Sequence, residues 1–285
     1  MKSPAADFSA LDRPEVRMAL FHPRREVGAP GRKLPEAETK IPGVKDLLVP
    51  VGDDIAVGAR LHLGDRTHAN ILFFHGNGEI AADYDEIGPF YNRIGINFLA
   101  ADYRGYGRST GHPTVTTMMQ DCHTIFQFVA DWLAQNGLVG PLILMGRSLG
   151  SASAIELAAA HPDRASGLIV ESGFAYAGPL LQLLGIDPAA IGFREETAFA
   201  HLEKIARFGG PLLIIHAEFD HIIPFSDGQA LFEASVSADK NLLKIPAANH
   251  NDILAHGFGD YFAAIQRLTA SCLTRLSLNT KGGPG

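Results

Sequence analysis

The chain has 285 residues, of which 46% are hydrophobic, and its 24 basic and 31 acidic side chains give a formal net charge of −7. This length fits one large α/β domain or two smaller ones, and the hydrophobic share is sufficient for a core. Because the charge balance is acidic and no basic block is present, nucleic acid and anionic membrane surfaces are not expected partners.

The N-terminal residues 1–43 contain six of the chain's seventeen prolines. Such a stretch cannot form a long helix or a central strand. It predicts a short helix over Arg13–Phe21 and then an extended segment that wraps over the body, with a flexible arm as the alternative. The first residues lack the apolar region of a secretory signal, and no run approaches the ~18 apolar residues of a membrane span. We therefore expect a soluble, cytoplasmic protein without integral membrane association.

From Val44 onward the pattern is that of strands and helices. Val44–Val51 and Ile55–Leu63 predict a hairpin, and the alternation in its second strand suits a half-exposed sheet edge. Further strands and helices alternate, which predicts a mostly parallel sheet with helices on both faces. The domain would span 44–276, followed by a flexible tail at 277–285. The predicted strands are Ile71–Phe74, Ile96–Ala101, Leu142–Met145, Gly167–Val170, Leu212–His216 and Leu242–Ile245, and the predicted helices include Ala82–Ile94, Thr116–Asn136 and His256–Leu276.

Residues 174–210 interrupt this alternation. They hold an apolar helix candidate at Pro179–Leu184 and a second candidate at Glu195–Arg207. One interpretation is a small cap that lines an apolar acyl pocket. The other is ordinary packing against the body, and composition does not separate the two.

The stretch Pro141–Ser151 reads PLILMGRSLGS and is followed by small residues that suit a helix. This is a strand, a tight turn and a helix, with G-x-S-x-G at the turn, which is typical of a nucleophile elbow. The serine backbone is strained there, so the residues two before and two after it must be small. The turn lifts the Ser148 hydroxyl clear of the sheet. We therefore predict Ser148 as a nucleophile.

A serine nucleophile needs a base, and the base needs an orienting acid. In this type of fold both follow the serine in the chain, on loops at the carboxyl ends of strands. Asp220 lies on the loop after Leu212–His216, and His250 lies on the loop after Leu242–Ile245. Residue type, order and strand-end position agree, so we predict a triad of Ser148, His250 and Asp220.

Three other carboxylates compete with Asp220 for the role of the acid. Glu171 follows the preceding strand and is the serious rival, because a carboxylate there could reach the histidine. Glu218 is expected to point away from the site, and Asp252 is expected to cap the following turn. Arg147, inside the elbow, is expected to pair with Asp102 or with a nearby carboxylate in a structural role.

The tetrahedral oxyanion of acyl transfer needs hydrogen-bond donors. The backbone N–H of Leu149, directly after the nucleophile, is one candidate. The other is the backbone N–H of Asn77 in the loop HGNGE, where Gly76 and Gly78 let the backbone approach a substrate. His75 is expected to brace that loop.

The sequence lacks the residue patterns that are typical of phosphate-binding and metal sites. The loop DYRGYGRS is rich in glycine, but the sequence has no phosphate-binding motif, so Arg104 and Arg108 are assigned to loop architecture or solvent. Cys122 and Cys272 lack zinc-type or C-x-x-C spacing and are expected to be reduced and buried. We predict no metal and no cofactor.

Together, HGNGE, DYRGYGRS, GRSLGS, HAEFDHIIP and NHNDI resemble the α/β-hydrolase superfamily, most closely its monoacylglycerol-lipase-like, depalmitoylase-like and serine-aminopeptidase-like serine hydrolases. The motifs span about Val44–Leu276. The resemblance implies a three-layer α/β-hydrolase fold with a mostly parallel eight-stranded sheet, an antiparallel second strand and a small cap insert. It also implies the triad above and Asn77 and Leu149 as oxyanion donors.

The expected activity is hydrolysis of carboxylic esters or thioesters through an acyl-enzyme, with a small-molecule ester-type substrate as the partner. An amide-cleaving, aminopeptidase-like hydrolase and a catalytically idle binding protein of the same fold are the alternatives. Oligomeric state is left open by the sequence.

Overall fold

The computed structural model describes residues 6–26 and 41–281. Within them, eight strands form one sheet in the order β1-β2-β4-β3-β5-β6-β7-β8. Strand β2 is antiparallel to both neighbours, and β3 to β8 are parallel. The mostly parallel sheet that the sequence predicts is therefore confirmed. The strands are β1 Val44–Gly52, β2 Ile55–His62, β3 Ala69–Phe74, β4 Ile96–Ala101, β5 Leu142–Arg147, β6 Gly167–Glu171, β7 Leu212–Ala217 and β8 Lys240–Ile245.

Helices cover both faces of this sheet and give three layers. Alternate side chains of the buried strand β3 point into two separate apolar clusters, Leu72 on one face and Ile71 on the other. Helices α3, α4 and α7 pack on the first face, and α2 and α8 pack on the second. The helices are α1 Pro14–Leu20, α2 Gly88–Arg93, α3 Val115–Gln135, α4 Ser151–Ala160, α5 Ala177–Leu183, α6 His201–Ile205, α7 Phe225–Ala234 and α8 Ile253–Lys281.

The prediction that the second strand is a half-exposed edge is wrong. Strand β2 lies between β1 and β4, and β1 is the edge. The polar positions that suggested a solvent-facing side include Arg60, whose side chain is only 6% exposed. Its guanidinium pairs with Asp46 at 2.7 Å, Asp85 at 2.8 Å and Glu26 at 2.8 Å. The polar position at Arg60 therefore faces a buried cluster of charged side chains and not solvent.

Two predicted helices have different bounds in the structure. The segment expected as one helix at Ala82–Ile94 is a 3₁₀ turn at Ala81–Tyr84 followed by α2, which has Pro89 in its first turn. Proline suits that position because the first N–H groups of a helix have no intrahelical acceptor. Helix α8 continues to Lys281, past the predicted boundary at 276, and residues 282–285 lie outside the described residues.

Residues 6–26, which we call the strap, lie over the body of the domain. The apolar side chains of Leu11, Val16 and Phe21 are buried in the core. The Asp12 carboxylate accepts the N–H of Val115 at 2.7 Å, at the start of α3. Residues 1–5 and 27–40 of the predicted N-terminal segment lie outside the described residues.

The insert at 174–210 contains α5, a 3₁₀ turn at Glu195–Thr197 and α6, so its second predicted helix is divided in two. The Glu195 carboxylate accepts the N–H of Ala177 at 2.8 Å and that of Gly178 at 3.1 Å. The insert also contacts the strap, since the Phe8 and Phe199 rings lie 5.5 Å apart. Of the helices that the structure describes, none has both the length and the hydropathy that a membrane crossing requires.

Candidate active site

Ser148 lies at the turn between β5 and α4, at the carboxyl edge of the sheet. Its backbone has a φ of +50°, in the left-handed region that L-residues rarely adopt. A Cβ at Gly146 would overlap the Gly150 carbonyl, and a Cβ at Gly150 would overlap the Phe74 carbonyl. The strained turn therefore requires glycine on both sides of Ser148, which is the reason for the G-x-S-x-G spacing.

Ser148, His250 and Asp220 form one chain of hydrogen-bonded groups. The His250 Nε2 lies 3.0 Å from the Ser148 Oγ, and the His250 Nδ1 lies 2.7 Å from the Asp220 Oδ2. The other carboxylate oxygen of Asp220 accepts the N–H groups of Ile222 and Ile223 at 3.0 and 2.8 Å. The structure thus brings together three side chains that lie on three separate strand-end loops.

The surroundings of Asp220 favour its ionised form. Burial alone would raise the pKa of this carboxyl, but the hydrogen bond and charge of His250 and the two backbone N–H groups lower it below its ordinary value. His216, which the sequence did not single out, lies beneath it with its Nε2 2.8 Å from the Ile223 carbonyl. That ring must donate from Nε2 to the carbonyl. Burial lowers the pKa of His216, so it braces the Asp220 loop as a neutral group.

Glu171, the rival acid, is bonded elsewhere. One of its oxygens lies 3.1 Å from the Arg147 Nε, and the other accepts the Tyr261 hydroxyl at 2.7 Å. Burial raises the pKa of Glu171 against the lowering effect of these two partners. Asp220 is thus the carboxylate that contacts the His250 ring.

Of the other two carboxylates, Glu218 lies as the sequence predicts, whereas Asp252 caps the turn before it instead of the turn that follows. Glu218 points away from the site, with an oxygen 2.9 Å from the Lys244 Nζ. Asp252 accepts the N–H of Asn249 at 2.7 Å and caps the turn that carries His250.

Arg147 connects three parts of the site. Its guanidinium pairs with Glu79 and Glu171, and its Nη2 donates to the His250 carbonyl at 2.8 Å. Glu79 in turn accepts the N–H of Gly76 at 2.7 Å. Sequence reasoning missed Glu79, although it is the last residue of HGNGE and stands next to the glycines. Arg147 therefore ties the HGNGE loop to the loop that carries the histidine.

Asp102, the other partner considered for Arg147, braces the HGNGE loop instead. It accepts the N–H of Ala81 at 2.8 Å and lies 3.3 Å from the Nε2 of the fully buried His75. Nearby, the two arginines of DYRGYGRS are held in ion pairs, Arg104 with Asp121 and Arg108 with Asp46.

Asn77 and Leu149, the candidate oxyanion donors, line the same cavity as Ser148. The Asn77 side chain is held in place, since its Oδ1 accepts the Tyr106 hydroxyl at 2.7 Å and the N–H of His22 at 2.9 Å. With the side-chain oxygen so engaged, the backbone N–H remains the group of Asn77 that is the candidate oxyanion donor.

The cavity above Ser148 is lined almost entirely by apolar side chains. Among the described residues that line it, Asn77 and Ser148 are the polar ones. The walls come from the insert, the strap and the loop after β7: Leu180, Leu181, Leu183 and Leu184; Leu11 and Leu20; Ile222 and Ile223. The insert thus lines a cavity, and it does so together with the strap, which the sequence did not place there. Within the described residues, no group of three His, Cys, Asp or Glu side chains is arranged to bind a metal.

This chain is similar in sequence to known hydrolase-fold proteins. It is 31% identical over 218 residues to human alpha/beta hydrolase domain-containing protein 17B, covering 72% of this chain and 68% of that protein. A family model described as serine aminopeptidase, S33 matches residues 65–190.

The solved structures that resemble this chain share its fold. The Pyrococcus furiosus esterase Pf2001 superposes with a TM-score of 0.65 at 17% identity, over 89% of this chain and 98% of that one. Est1E from Butyrivibrio proteoclasticus superposes with a TM-score of 0.62 at 17% identity, over 80% of this chain and 99% of that one.

Proposed function

Since the chain belongs to the α/β-hydrolase superfamily, we propose that it is a serine hydrolase that cleaves carboxylic ester or thioester bonds. The observation that carries the proposal is the continuous hydrogen-bond chain from the Asp220 carboxylate through His250 to the Ser148 hydroxyl. This arrangement supplies a nucleophile, a base and an orienting acid at an apolar cavity, as acyl transfer requires.

In the first half-reaction, the His250 Nε2 takes the proton of the Ser148 hydroxyl while the Oγ attacks the substrate carbonyl carbon. Asp220 holds the Nδ1–H of His250 and stabilises the imidazolium that forms. The backbone N–H groups of Asn77 and Leu149 donate to the tetrahedral oxyanion. When the intermediate collapses, His250 returns the proton to the leaving alcohol or thiol, and an acyl-serine remains.

In the second half-reaction, water replaces the leaving group. His250 removes a proton from the water, whose oxygen attacks the acyl carbonyl, and the same two N–H groups donate to the new oxyanion. Collapse of this intermediate breaks the bond to the Ser148 Oγ, which takes the proton back from His250. The carboxylic acid is released and the enzyme is restored.

The cavity lining favours an acyl ester over a peptide N-terminus. An aminopeptidase-like substrate presents an α-ammonium group, which needs a carboxylate or several carbonyls at the end of the pocket. The described lining offers leucine, isoleucine and phenylalanine side chains instead, with Asn77 and Ser148 as its polar members. Amide cleavage is the second candidate, because the family model that matches this chain is described as serine aminopeptidase.

Labelling with a fluorophosphonate probe, together with a substrate panel, tests the proposal. The panel contains nitrophenyl esters of increasing chain length, an acyl thioester and an aminoacyl anilide. We expect labelling and ester turnover in the wild type and in Ser153→Ala, which removes a buried serine hydroxyl from α4 that has no hydrogen-bond partner among the described residues. Ser148→Ala should lose both signals.

Three results would count against the proposal. Undiminished labelling of Ser148→Ala would place the nucleophile elsewhere. Exclusive cleavage of the anilide would favour the aminopeptidase-like activity. A wild type that neither labels nor turns over any substrate would favour a catalytically idle binding protein.

A further inference from the structure

The strap makes polar contacts with the loop that carries Asn77. Asn77 Oδ1 accepts two hydrogen bonds, from the N–H of His22 at 2.9 Å and from the Tyr106 hydroxyl at 2.7 Å. These two donors identify that atom of the amide as the oxygen, so the other is the donor nitrogen. The His22 Nδ1, 2.9 Å from the Asn77 Nδ2, must then accept a hydrogen bond. His22 therefore holds both ends of the Asn77 amide.

A second strap residue holds the next peptide of the loop. The Arg24 Nε donates to the Gly78 carbonyl at 3.2 Å, and its guanidinium pairs with Asp83. Gly78 has a φ of +77°, which glycine adopts readily because it has no side chain. For the same reason, Gly78 has no side chain of its own that could restrain the loop. The strap supplies that restraint from outside, on both Asn77 and the residue that follows it.

We propose that His22 is a positioning residue for the oxyanion site, acting through the side chain of Asn77. This inference rests on the proposed function, in which the Asn77 N–H donates to the tetrahedral intermediate. Donors that stabilise an oxyanion work because they are fixed before the charge develops, and small misplacements of catalytic groups cost large factors in rate. His22 fixes the amide side chain and thereby the peptide to which it is attached.

The contact joins a loop that the family model covers to a segment that lies before its first residue. The model covers residues 65–190, which include Asn77 and Tyr106 but not the strap. The strap also lines the cavity with Leu11 and Leu20. This chain thus completes its site with a segment that lies 55 residues from Asn77 in sequence.

A double-mutant cycle on kcat tests the proposal, with a short-chain nitrophenyl ester as substrate. Asn77→Ala keeps the backbone N–H and removes the amide that His22 holds. We expect His22→Ala to lower kcat about tenfold while KM stays within about twofold, because the binding of the ground state does not use the oxyanion donors. Asn77→Ala should lower kcat at least as much. Adding His22→Ala to Asn77→Ala should change nothing further, since the contact is already gone.

Two more variants separate positioning from a general loosening of the strap. His22→Asn offers an amide oxygen near the place of Nδ1 and should restore most of the lost kcat. Met18→Ala removes a side chain that is 77% exposed on the same segment and should leave kcat and KM unchanged. Wild-type kcat in His22→Ala, or a full additional loss in the Asn77→Ala background, would overturn the inference while the proposed function stands. A wild type without hydrolysis or fluorophosphonate labelling would overturn both.

Discussion

Replacing Arg147 with methionine removes the cation that lies between two carboxylates behind the proposed triad. The Arg147 side chain is 12% exposed and contacts Glu79, Glu171 and the His250 carbonyl. Methionine has a similar length but none of the N–H donors. The variant leaves two carboxylates without their shared cation and one carbonyl without its donor. Because this region is largely buried, water replaces the lost N–H donors poorly.

The geometry sets the size of the expected effect. The Arg147 Nε lies 3.1 Å from Glu171, which at an effective dielectric constant of about 20 is a Coulomb attraction of about 5 kcal/mol. The desolvation of the guanidinium offsets much of this, yet removing one partner of a buried pair still costs about 3–5 kcal/mol. We expect the free energy of unfolding of Arg147→Met to fall by that amount. Glu171→Gln should cost less than about 1 kcal/mol, because it leaves one carboxylate opposite one cation.

Urea unfolding of four proteins measures this: the wild type, Arg147→Met, Glu171→Gln and the double variant. The double variant should be more stable than Arg147→Met alone, since it removes one of the two carboxylates that lost their cation. The kcat of Arg147→Met should also fall, because the backbone of His250 loses its donor. The reasoning is refuted if Arg147→Met costs less than about 1 kcal/mol, or if Glu171→Gln destabilises as much as Arg147→Met.

Three further predictions follow from the described contacts. Asp220→Asn should lower kcat about 10⁴-fold with little change in KM, whereas Glu171→Gln should keep kcat within about tenfold; the opposite order in steady-state kinetics would make Glu171 the acid. Gly150→Ala should lower the melting temperature steeply or prevent folding because its Cβ would overlap a carbonyl of β3, while Gly209→Ala, which meets no atom within 4 Å, should not. Burial lowers the pKa of His201 to about 3, so below pH ~6.5 the unfolded state binds a proton that the folded state does not. This one group should contribute a loss of stability of about 1.4 kcal/mol per pH unit on acidification. His201→Asn should remove that contribution from the slope when urea unfolding is measured from pH 7 to pH 4.

The parts of the site that the sequence predicts well are those whose geometry is set locally. A buried strand that enters G-x-S-x-G fixes the strained turn at Ser148, because glycine is required where the backbones touch. The loops with Asp220 and His250 follow parallel strands, so their positions at one sheet edge follow from topology alone. The prediction that β2 is an edge strand was wrong because the burial of its polar side chains depends on contacts that are distant in sequence. Its alternation is local, but the carboxylates that allow Arg60 to be buried come from other parts of the chain.

The choice between Asp220 and Glu171 shows where local reasoning ends. Both carboxylates follow parallel strands at the same edge of the sheet, so spacing and topology make both of them candidates. What separates them is the partner that each has: Glu171 is occupied by Arg147 and by the Tyr261 hydroxyl, 90 residues away in sequence, whereas Asp220 receives His250. The role of a carboxylate at this edge therefore depends on which donor the completed fold places against it, and the same holds for the Asn77 amide. A sequence determines these pairs only through the completed fold.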